Sequence, residues 1–330
     1  MTVLVTADFH LNDNPRDEYR HLWQEELRTL VRTYAVDQLF ILGDITDEKD
    51  HHSSYLVNRV VEYLRELATR CFITILTGNH DYIDPAHPFF EFTSTMNRVR
   101  WINTPTYLSF ADKGLGQCLF LPHTRDYKAD WATIDWDMDI VFAHNTFKGA
   151  RAASDRELDG IPLGVIPKDT TVISGDVHVP QDVGNVTYVG APYSVDFGDH
   201  YKPRVLLLKD DRMKSVPCKG PQKRLIKAAN LEQAITKLPT VRGDIVKVRL
   251  AWDSTQMEKW AVAKRTLIDA AHRDGVTLHS IEPVLDATVS RKRYKASGKS
   301  RSDTEILTEY CAHNSVNKDL TKVGMRIVKP

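Results

Sequence analysis

The chain has 330 residues, 42% of them hydrophobic and 27% charged, with 44 Lys+Arg against 44 Asp+Glu. That composition excludes a disordered or fibrous chain, and the length predicts about two domains. The zero formal balance argues at first against a polyanionic partner, yet it conceals a split. Residues 1–200 carry 17 basic and 30 acidic side chains, while residues 201–330 carry 27 and 14. Asymmetry of that size points to nucleic acid or to a metal-rich site.

In chain order, Val3–Ala7 is a short apolar run that ends in polar residues. With no basic segment before it, it reads as a strand rather than a signal peptide, and the expected location is cytoplasmic. Tyr19, Leu22, Trp23, Leu27, Leu30, Val31 and Tyr34 recur at helical spacing, Leu39–Leu42 is a second strand, Val57 to Ala68 a second amphipathic helix, and Phe72–Leu76 a third strand. Strands alternating with helices predict right-handed crossovers and a parallel sheet. From about residue 99 the pattern is richer in strands: Tyr107–Phe110, Gln117–Leu121, Asp139–Ala143, Thr171–Ser174, Val186–Val189, Arg204–Leu208 and Lys214–Pro217. A mixed sheet, or two sheets packed together, is expected there. Residues 217–240, with Pro217, Gly220, Pro221, Pro239 and many lysines, read as a connection. A β-α-β unit follows: strand Ile245–Trp252, helix Met257–Arg273 and strand Val276–Val284. Arg291–Arg301 has six basic residues in eleven and is expected to lack fixed structure; Ile306, Leu307 and Tyr310 then give a short helical pattern. The four cysteines are far apart and read as reduced thiols. No apolar run approaches the ~18 residues of a membrane span.

Five polar clusters each follow a strand-like run: Asp8-Phe-His10, Gly43-Asp44-Ile-Thr-Asp47, Gly78-Asn79-His80-Asp81, Ala143-His144-Asn145 and Gly175-Asp176-Val-His178. Open α/β sheets bind ligands outside the carboxyl ends of their strands, so residues remote in sequence converge on one rim. Carboxylates, imidazoles and an amide without thiolate suit Mn²⁺, Fe²⁺ or Zn²⁺. Asp8 and His10, one residue apart on extended chain, share a face and can grip one ion. Gly43, Gly78 and Gly175 are expected where the backbone turns sharply. Singly, each cluster is as readily a polar turn or a helix cap; five in order, each behind a strand, are hard to reach by chance.

The ordered series D-x-H, G-D-x-x-D, G-N-H-D, H and G-D-x-H resembles the five-motif signature of the calcineurin-like metallophosphoesterases. Tyr188-Val-Gly-Ala-Pro-Tyr-Ser-Val-Asp-Phe-Gly198 is similar to the segment after the last metal motif in SbcD-type DNA nucleases. The β-α-β unit ending Ile281-Glu-Pro-Val284 resembles the capping domain of that group, and residues 303–330 its ATPase-binding end. The resemblance implies an α/β fold, a four-layer αββα sandwich with a mixed sheet. It implies a nuclease domain at 1–216, a DNA-capping domain at 217–288, and a basic linker with tail at 289–330. Carried over by motif, one ion would be held by Asp8, His10, Asp44 and His178, and the other by Asp44, Asn79, His144 and Asp176, with Asp44 bridging. The group generally has G-H-x-H where this chain has Gly175-Asp176-Val-His178; an added carboxylate hardens the second site toward Mn²⁺ or Mg²⁺. His80 would be the acid that protonates the leaving oxygen, with Asp81 or Asp47 holding its ring in one tautomer.

The implied activity is Mn²⁺-dependent hydrolysis of phosphodiester bonds at DNA ends or hairpins, beside an SbcC-type ATPase on another chain, since no Gly-x-x-x-x-Gly-Lys-Ser/Thr occurs here. The rival readings are a stand-alone phosphodiesterase or phosphatase, and a metal-bound scaffold weakened at Asp176. The helix through Val57–Ala68 and the segment Pro88–Phe92 offer apolar faces that the resemblance assigns to a homodimer interface. Arg291, Lys292 and Arg293 are candidate DNA-phosphate contacts, sensitive to salt. His123 beside Arg125, and His200, are further phosphate-contact candidates; His51 and His52 read as residues leading into a helix capped by Ser53 or Ser54.

Overall fold

The computed structural model describes residues 1–197, 201–210, 212–285, 303–313, 316, 321, 322 and 325. The chain runs β1 (Val3–Thr6), α1 (Tyr19–Thr33), β2 (Gln38–Leu42), α2 (Ser54–Ala68), β3 (Phe72–Leu76), β4 (Val99–Ile102), β5 (Thr106–Phe110) and β6 (Gly116–Leu121). It continues through α3 (Tyr127–Asp130), β7 (Ile140–Ala143), β8 (Thr171–Ser174), β9 (Gln181–Val183), β10 (Val186–Tyr188), β11 (Arg204–Lys209) and β12 (Arg212–Pro217). Then come β13 (Lys223–Ala228), α4 (Leu231–Lys237), β14 (Ile245–Trp252), α5 (Trp260–Arg273) and β15 (Thr277–Leu285). Residues 1–285 form one compact unit; residues 286–330 form another, in which α6 (Asp303–His313) is described.

Two six-stranded mixed sheets make the body, in the orders β12-β11-β1-β2-β3-β4 and β5-β6-β7-β8-β10-β9. Strands β1 to β4 are parallel, with α1 and α2 as crossovers. Their largely apolar sequences, broken at Thr74 and at the exposed Arg100, fit strands covered on both faces. On β2 the alternation is visible residue by residue: Leu39 and Ile41 face the helix layer with Trp23, Leu27, Val60 and Leu64, while Phe40 and Leu42 face the second sheet. Phe40 meets Phe120 and Phe142 there, at centroid distances of 5.2 and 4.9 Å. Packed with the second sheet in a separate apolar cluster are Trp131, just after the one-turn α3, Phe147 and Ile166 from the β7–β8 connection and Val177 from the β8–β9 connection.

Two local expectations are corrected. Leu22 is 60% exposed, whereas Arg20, His21 and Gln24 of α1 are buried. The buried face of the first turns of α1 therefore mixes Tyr19 and Trp23 with polar side chains. Residues 217–240 are not a bare connection: they hold β13 and α4, and β13 pairs in parallel with β14 to give the three-stranded sheet β13-β14-β15. Its alternation is masked by lysines, of which Lys223 is itself buried. The small sheet packs Ile226, Val246, Val248 and Leu250 against Ala234, Leu267, Ala270 and Ala271 of α4 and α5. The basic stretch 291–301, including Arg291, Lys292 and Arg293, and His200 lie outside the described residues. Among the described residues, no helix is long and apolar enough to cross a membrane.

Candidate metal centre

The carboxyl ends of β1, β2, β3, β7 and β8 converge from both sheets, and all five polar clusters meet there. Asp44 is the hub. Its Oδ2 lies 3.5 Å from His10 Nε2 and 3.4 Å from His144 Nε2. On one side His10 Nε2 faces His178 Nε2 at 3.0 Å, with an Asp8 oxygen in the same cluster. On the other side His144 Nε2 has Asn79 Oδ1 at 3.1 Å and Asp176 Oδ1 at 3.8 Å. Donor atoms about 2.1 Å from a shared ion stand roughly 3.0–3.4 Å apart at octahedral to tetrahedral angles. The His10–His178, Asp44–His144 and His144–Asn79 spacings fit a shared ion, Asp44–His10 lies at the margin, His144–Asp176 at 3.8 Å is wider, and Asp44 belongs to both groups.

The residues also fit divalent ions by their unmet demands. Asp8 Oδ2 is buried and has no hydrogen-bond partner among the described residues. Burial pushes the Asp8 carboxyl up to about 7, the Asp44 and Asp176 charges adding to it and His144 opposing. Asp44 is held well below the usual carboxylate range by the imidazoles of His144, His10 and His80, against the opposing effect of burial. Burial and the neighbouring His10 push His178 down to about 3, so its ring is neutral and keeps a lone pair for coordination. His144 Nδ1 donates to the Leu42 carbonyl, which turns Nε2 toward Asp44 and Asn79, the usual orientation of a ligating histidine.

The ligand loops carry backbone strain. Asp8, His10, Asp44 and Asp176 all adopt positive φ, at 58°, 43°, 57° and 72°. Non-glycine residues there cost on the order of 1–3 kcal/mol each and persist only when the surroundings fix them. Asp8 N–H donates to Gly43 O at 3.1 Å and His10 N–H to Asp44 O at 2.9 Å, which ties the first two loops together. Asp81 fixes the next pair: its Oδ2 accepts from Gly78 N at 2.7 Å and Asp44 N at 2.9 Å, and its Oδ1 from Ile45 N at 3.0 Å. Both its oxygens are engaged, so Asp81 does not orient His80. The expectation of sharp turns at three glycines holds for Gly43, at φ +85°. Gly78 and Gly175 serve close approach instead: a Cβ would lie 2.2 Å from Asp44 Oδ1 at the former and 2.4 Å from Leu42 O at the latter.

His80 stands against His10, ring centroids 4.8 Å apart, and its nitrogen falls within the cluster formed with His10 and Asp44. Its Nδ1 is 2.6 Å from the Asp47 backbone carbonyl, so the main chain of Asp47 holds the ring, not the carboxylate. The Asp47 carboxylate has other partners: Oδ1 lies 3.4 Å from His10 Nδ1, and Oδ2 accepts from Arg20 Nη1 at 3.1 Å and Asn12 Nδ2 at 3.2 Å. Asn12 and Arg20 in turn reach Asp17, and Asp17 Oδ1 pairs with Lys223 Nζ at 3.1 Å. A partly buried polar network thus runs from β13 to the centre. Sequence reasoning missed Arg20, Asn12, Lys223 and also Thr146, whose hydroxyl bonds Asp176 Oδ2 and turns Oδ1 toward His144. The one available signal was Arg20, a cation on the buried stripe between Tyr19 and Trp23.

Paired donor groups sharing one carboxylate, set on the rim of two facing mixed sheets, are the site of a metal-dependent phosphoester hydrolase. The chain belongs to the calcineurin-like phosphoesterases, whose family model matches residues 1–180. It is similar to a protein of Invertebrate iridescent virus 6 named as a phosphoesterase, 244L, 26% identical over 225 residues that cover 62% of this chain and 75% of that one. It is also similar to SbcD, a component of the nuclease SbcCD of Escherichia coli K12, 23% identical over 315 residues, 79% of this chain and 74% of that protein. Exonuclease subunit 1 of Enterobacteria phage T4 is 22% identical over 228 residues, 62% of this chain and 63% of that protein.

Proposed function

We propose that the protein is a Mn²⁺-dependent DNA nuclease subunit that hydrolyses phosphodiester bonds at DNA ends or hairpins and works with an SbcC-type ATPase in DNA repair or recombination. One observation carries this reading. The similarity to a nuclease component covers 79% of the chain, so it runs beyond the 180 residues of the family match toward the small sheet and the basic half. A further support is the paired donor set around Asp44, which suits attack on a phosphodiester.

In this reading Asp8, His10, Asp44 and His178 hold one ion, and Asp44, Asn79, His144 and Asp176 the other. Two divalent ions supply an activated water and offset the charge on the phosphoryl oxygens. The chain's own residues do the rest. The carbonyl of Asp47 accepts only, so Nδ1 of His80 keeps its proton and the transferable proton is the one on Nε2 of the imidazolium. Delivery of that proton to the leaving oxygen returns His80 to the neutral tautomer that the carbonyl already holds. Asp81 holds the loops bearing Gly78 and Asp44 in register, and the Asp47 carboxylate, fixed by Arg20 and Asn12, aligns His10. Homodimerisation through α2 and the Pro88–Phe92 segment belongs to the same proposal; Tyr55 and Phe92 are 60% and 47% exposed. Residues 217–288 would cap the DNA and the tail from 289 would dock the ATPase.

The test is one assay in Mn²⁺ on labelled linear DNA, a DNA hairpin and a chromogenic phosphodiester, with Asp44→Ala as control. Cleavage of DNA that Asp44→Ala abolishes is the expected result. Cleavage of the small ester alone moves the reading to a stand-alone phosphodiesterase. Absence of any metal-dependent hydrolysis, with the ATPase present, leaves a scaffold.

A further inference from the structure

A second cleft opens beside the His144–Asp176 side of the centre. It has a volume of about 350 Å³ and is lined by His123, Thr124, Arg125, Asn145, Thr146 and Asp176 among others. That size is at the lower end of small-ligand sites. Arg125 is the only lysine or arginine among the described residues lining it. Its guanidinium lies over the Tyr82 ring, 5.1 Å from the centroid, and Nη2 donates to the Ile83 carbonyl at 3.3 Å. Both partners are neutral, so the guanidinium is held in place while its charge is left for something else.

The wall that carries Arg125 is built rather than loose. Tyr82 is buried and its hydroxyl bonds His123 Nδ1 at 2.7 Å. The His123 ring stands 6.4 Å from that of the ligand-candidate His144, so the wall is continuous with the metal centre. The main chain is pinned on both sides: His123 N–H donates to Thr77 O at 2.9 Å and Thr124 N–H to Asn145 Oδ1 at 3.1 Å. Asp126 N–H donates to the Thr124 hydroxyl at 3.0 Å, which closes the turn before α3. Asp159 and Asp176 bring carboxylates to the same lining, and Asp159 accepts the N–H of Gly160 at 3.0 Å. With two carboxylates among the described lining residues, the Arg125 end is the one part of the cleft that favours an anion.

We propose that this cleft is a subsite for a second phosphate of the substrate, the one next along the chain from the phosphate undergoing hydrolysis. Arg125 supplies the charge, and His123, fixed by Tyr82, lines the path between the two phosphates. The inference rests on the phosphodiester reading and deepens it: a substrate with phosphates on both sides of one sugar is selected over one with a single phosphate. Guanidinium to phosphate contacts are charge-assisted and bidentate where geometry allows, and a partly exposed one is worth on the order of a tenfold change in affinity.

The experiment is calorimetric titration of the Mn²⁺-loaded protein with two probes, thymidine 5′-monophosphate and thymidine 3′,5′-bisphosphate. The wild type is expected to bind the bisphosphate on the order of tenfold more tightly. Arg125→Gln is expected to bring that ratio close to one while Mn²⁺ affinity, measured separately, stays the same. Equal binding of the two probes by the wild type overturns the proposal, and so does a ratio that survives Arg125→Gln. The ratio is measured without turnover, so failure of DNA cleavage in the nuclease assay and failure of this subsite are separate outcomes.

Discussion

Asp81→Asn separates two roles for a buried carboxylate: holding the His80 ring, which the sequence offered to Asp81 or Asp47, and holding the backbone of the ligand loops. Asp81 accepts three backbone N–H bonds at 2.7–3.0 Å, from Gly78, Asp44 and Ile45. An asparagine can accept at only one of its two terminal atoms. With its oxygen toward Gly78 and Asp44, its amide meets the Ile45 N–H and orphans that donor, at a cost of about 1–3 kcal/mol. The two surviving bonds lose their charge assistance, roughly 1 kcal/mol each. Part of this is offset in the metal-free protein. There burial and the adjacent Asp44 charge push the Asp81 carboxyl up to about 6, so loss of its charge relieves repulsion. The expected net loss is therefore about 1–3 kcal/mol without metal, and larger with Mn²⁺ bound, because the ions offset the Asp44 charge. By linkage, a loss that grows on metal binding is a weaker Mn²⁺ affinity of equal size. Chemical denaturation in chelator and in saturating Mn²⁺, together with calorimetric Mn²⁺ titration, measures every side of that cycle. A variant within about 0.5 kcal/mol of wild type in both states, with unchanged Mn²⁺ affinity and only turnover reduced, would refute the scaffold role of Asp81.

Three other perturbations follow from the same geometry. His80→Ala is expected to keep both ions, as read by Mn²⁺ titration, and to lose about 10²–10⁴-fold in turnover, the range for a positioned general acid. Gly78→Ala places a Cβ 2.2 Å from Asp44 Oδ1 and 2.6 Å from Asp44 N, so Mn²⁺ binding should fall in both sites; unchanged titration curves would count against the close-approach argument. Lys223→Met removes a buried cation that pairs with Asp17 and lies 5.1 and 5.4 Å from the centroids of the Tyr19 and Phe197 rings, and should cost about 2–3 kcal/mol of stability. Against the opposing effect of burial, Arg20 and Lys223 hold the Asp17 carboxyl below its ordinary value of 3.8. A lowered folded-state value gives stability that is present above that ordinary value and lost as the pH falls through the lowered one. The wild type should therefore lose its advantage over Lys223→Met as pH drops below about 4, and a constant gap across that range would exclude the ion pair as the source.

The centre was legible because its chemistry is written in short motifs behind apolar strands. Asp8, His10, Asp44, Asn79, His144, Asp176 and His178 stand where strand ends must meet, and apolar runs in the sequence located all five of those strands. What stayed hidden depends on three-dimensional neighbours. Asp81 and Asp47 are adjacent to the motif histidine in sequence or in loop position, which suggested that their carboxylates face it; the positive φ values at Asp44 and its partners turn the loops so that those carboxylates meet backbone N–H groups and Arg20 instead. Strand β13 was hidden because its sequence, Lys223-Arg-Leu-Ile-Lys-Ala228, reads as a solvated linker. Lys223 satisfies its buried position through Asp17 and the Val195 carbonyl, and Asp17 lies 206 residues away.

That distance is also why the charge split is more than a sorting of surfaces. Lys223 comes from the basic half and Asp17 from the acidic half, and their contact is the start of a chain of polar contacts that reaches Asp47, the residue touching both His10 and His80. A neutral total conceals at least one buried contact between the halves, and that contact bears on the alignment of the centre. Three carboxylates of the acidic half, Asp8, Asp44 and Asp176, stand at the centre, where divalent ions would convert a repulsive cluster into the attractive field a phosphate requires. A zero net charge is thus compatible with a polyanionic substrate, because such a substrate responds to the field at the rim and not to the total.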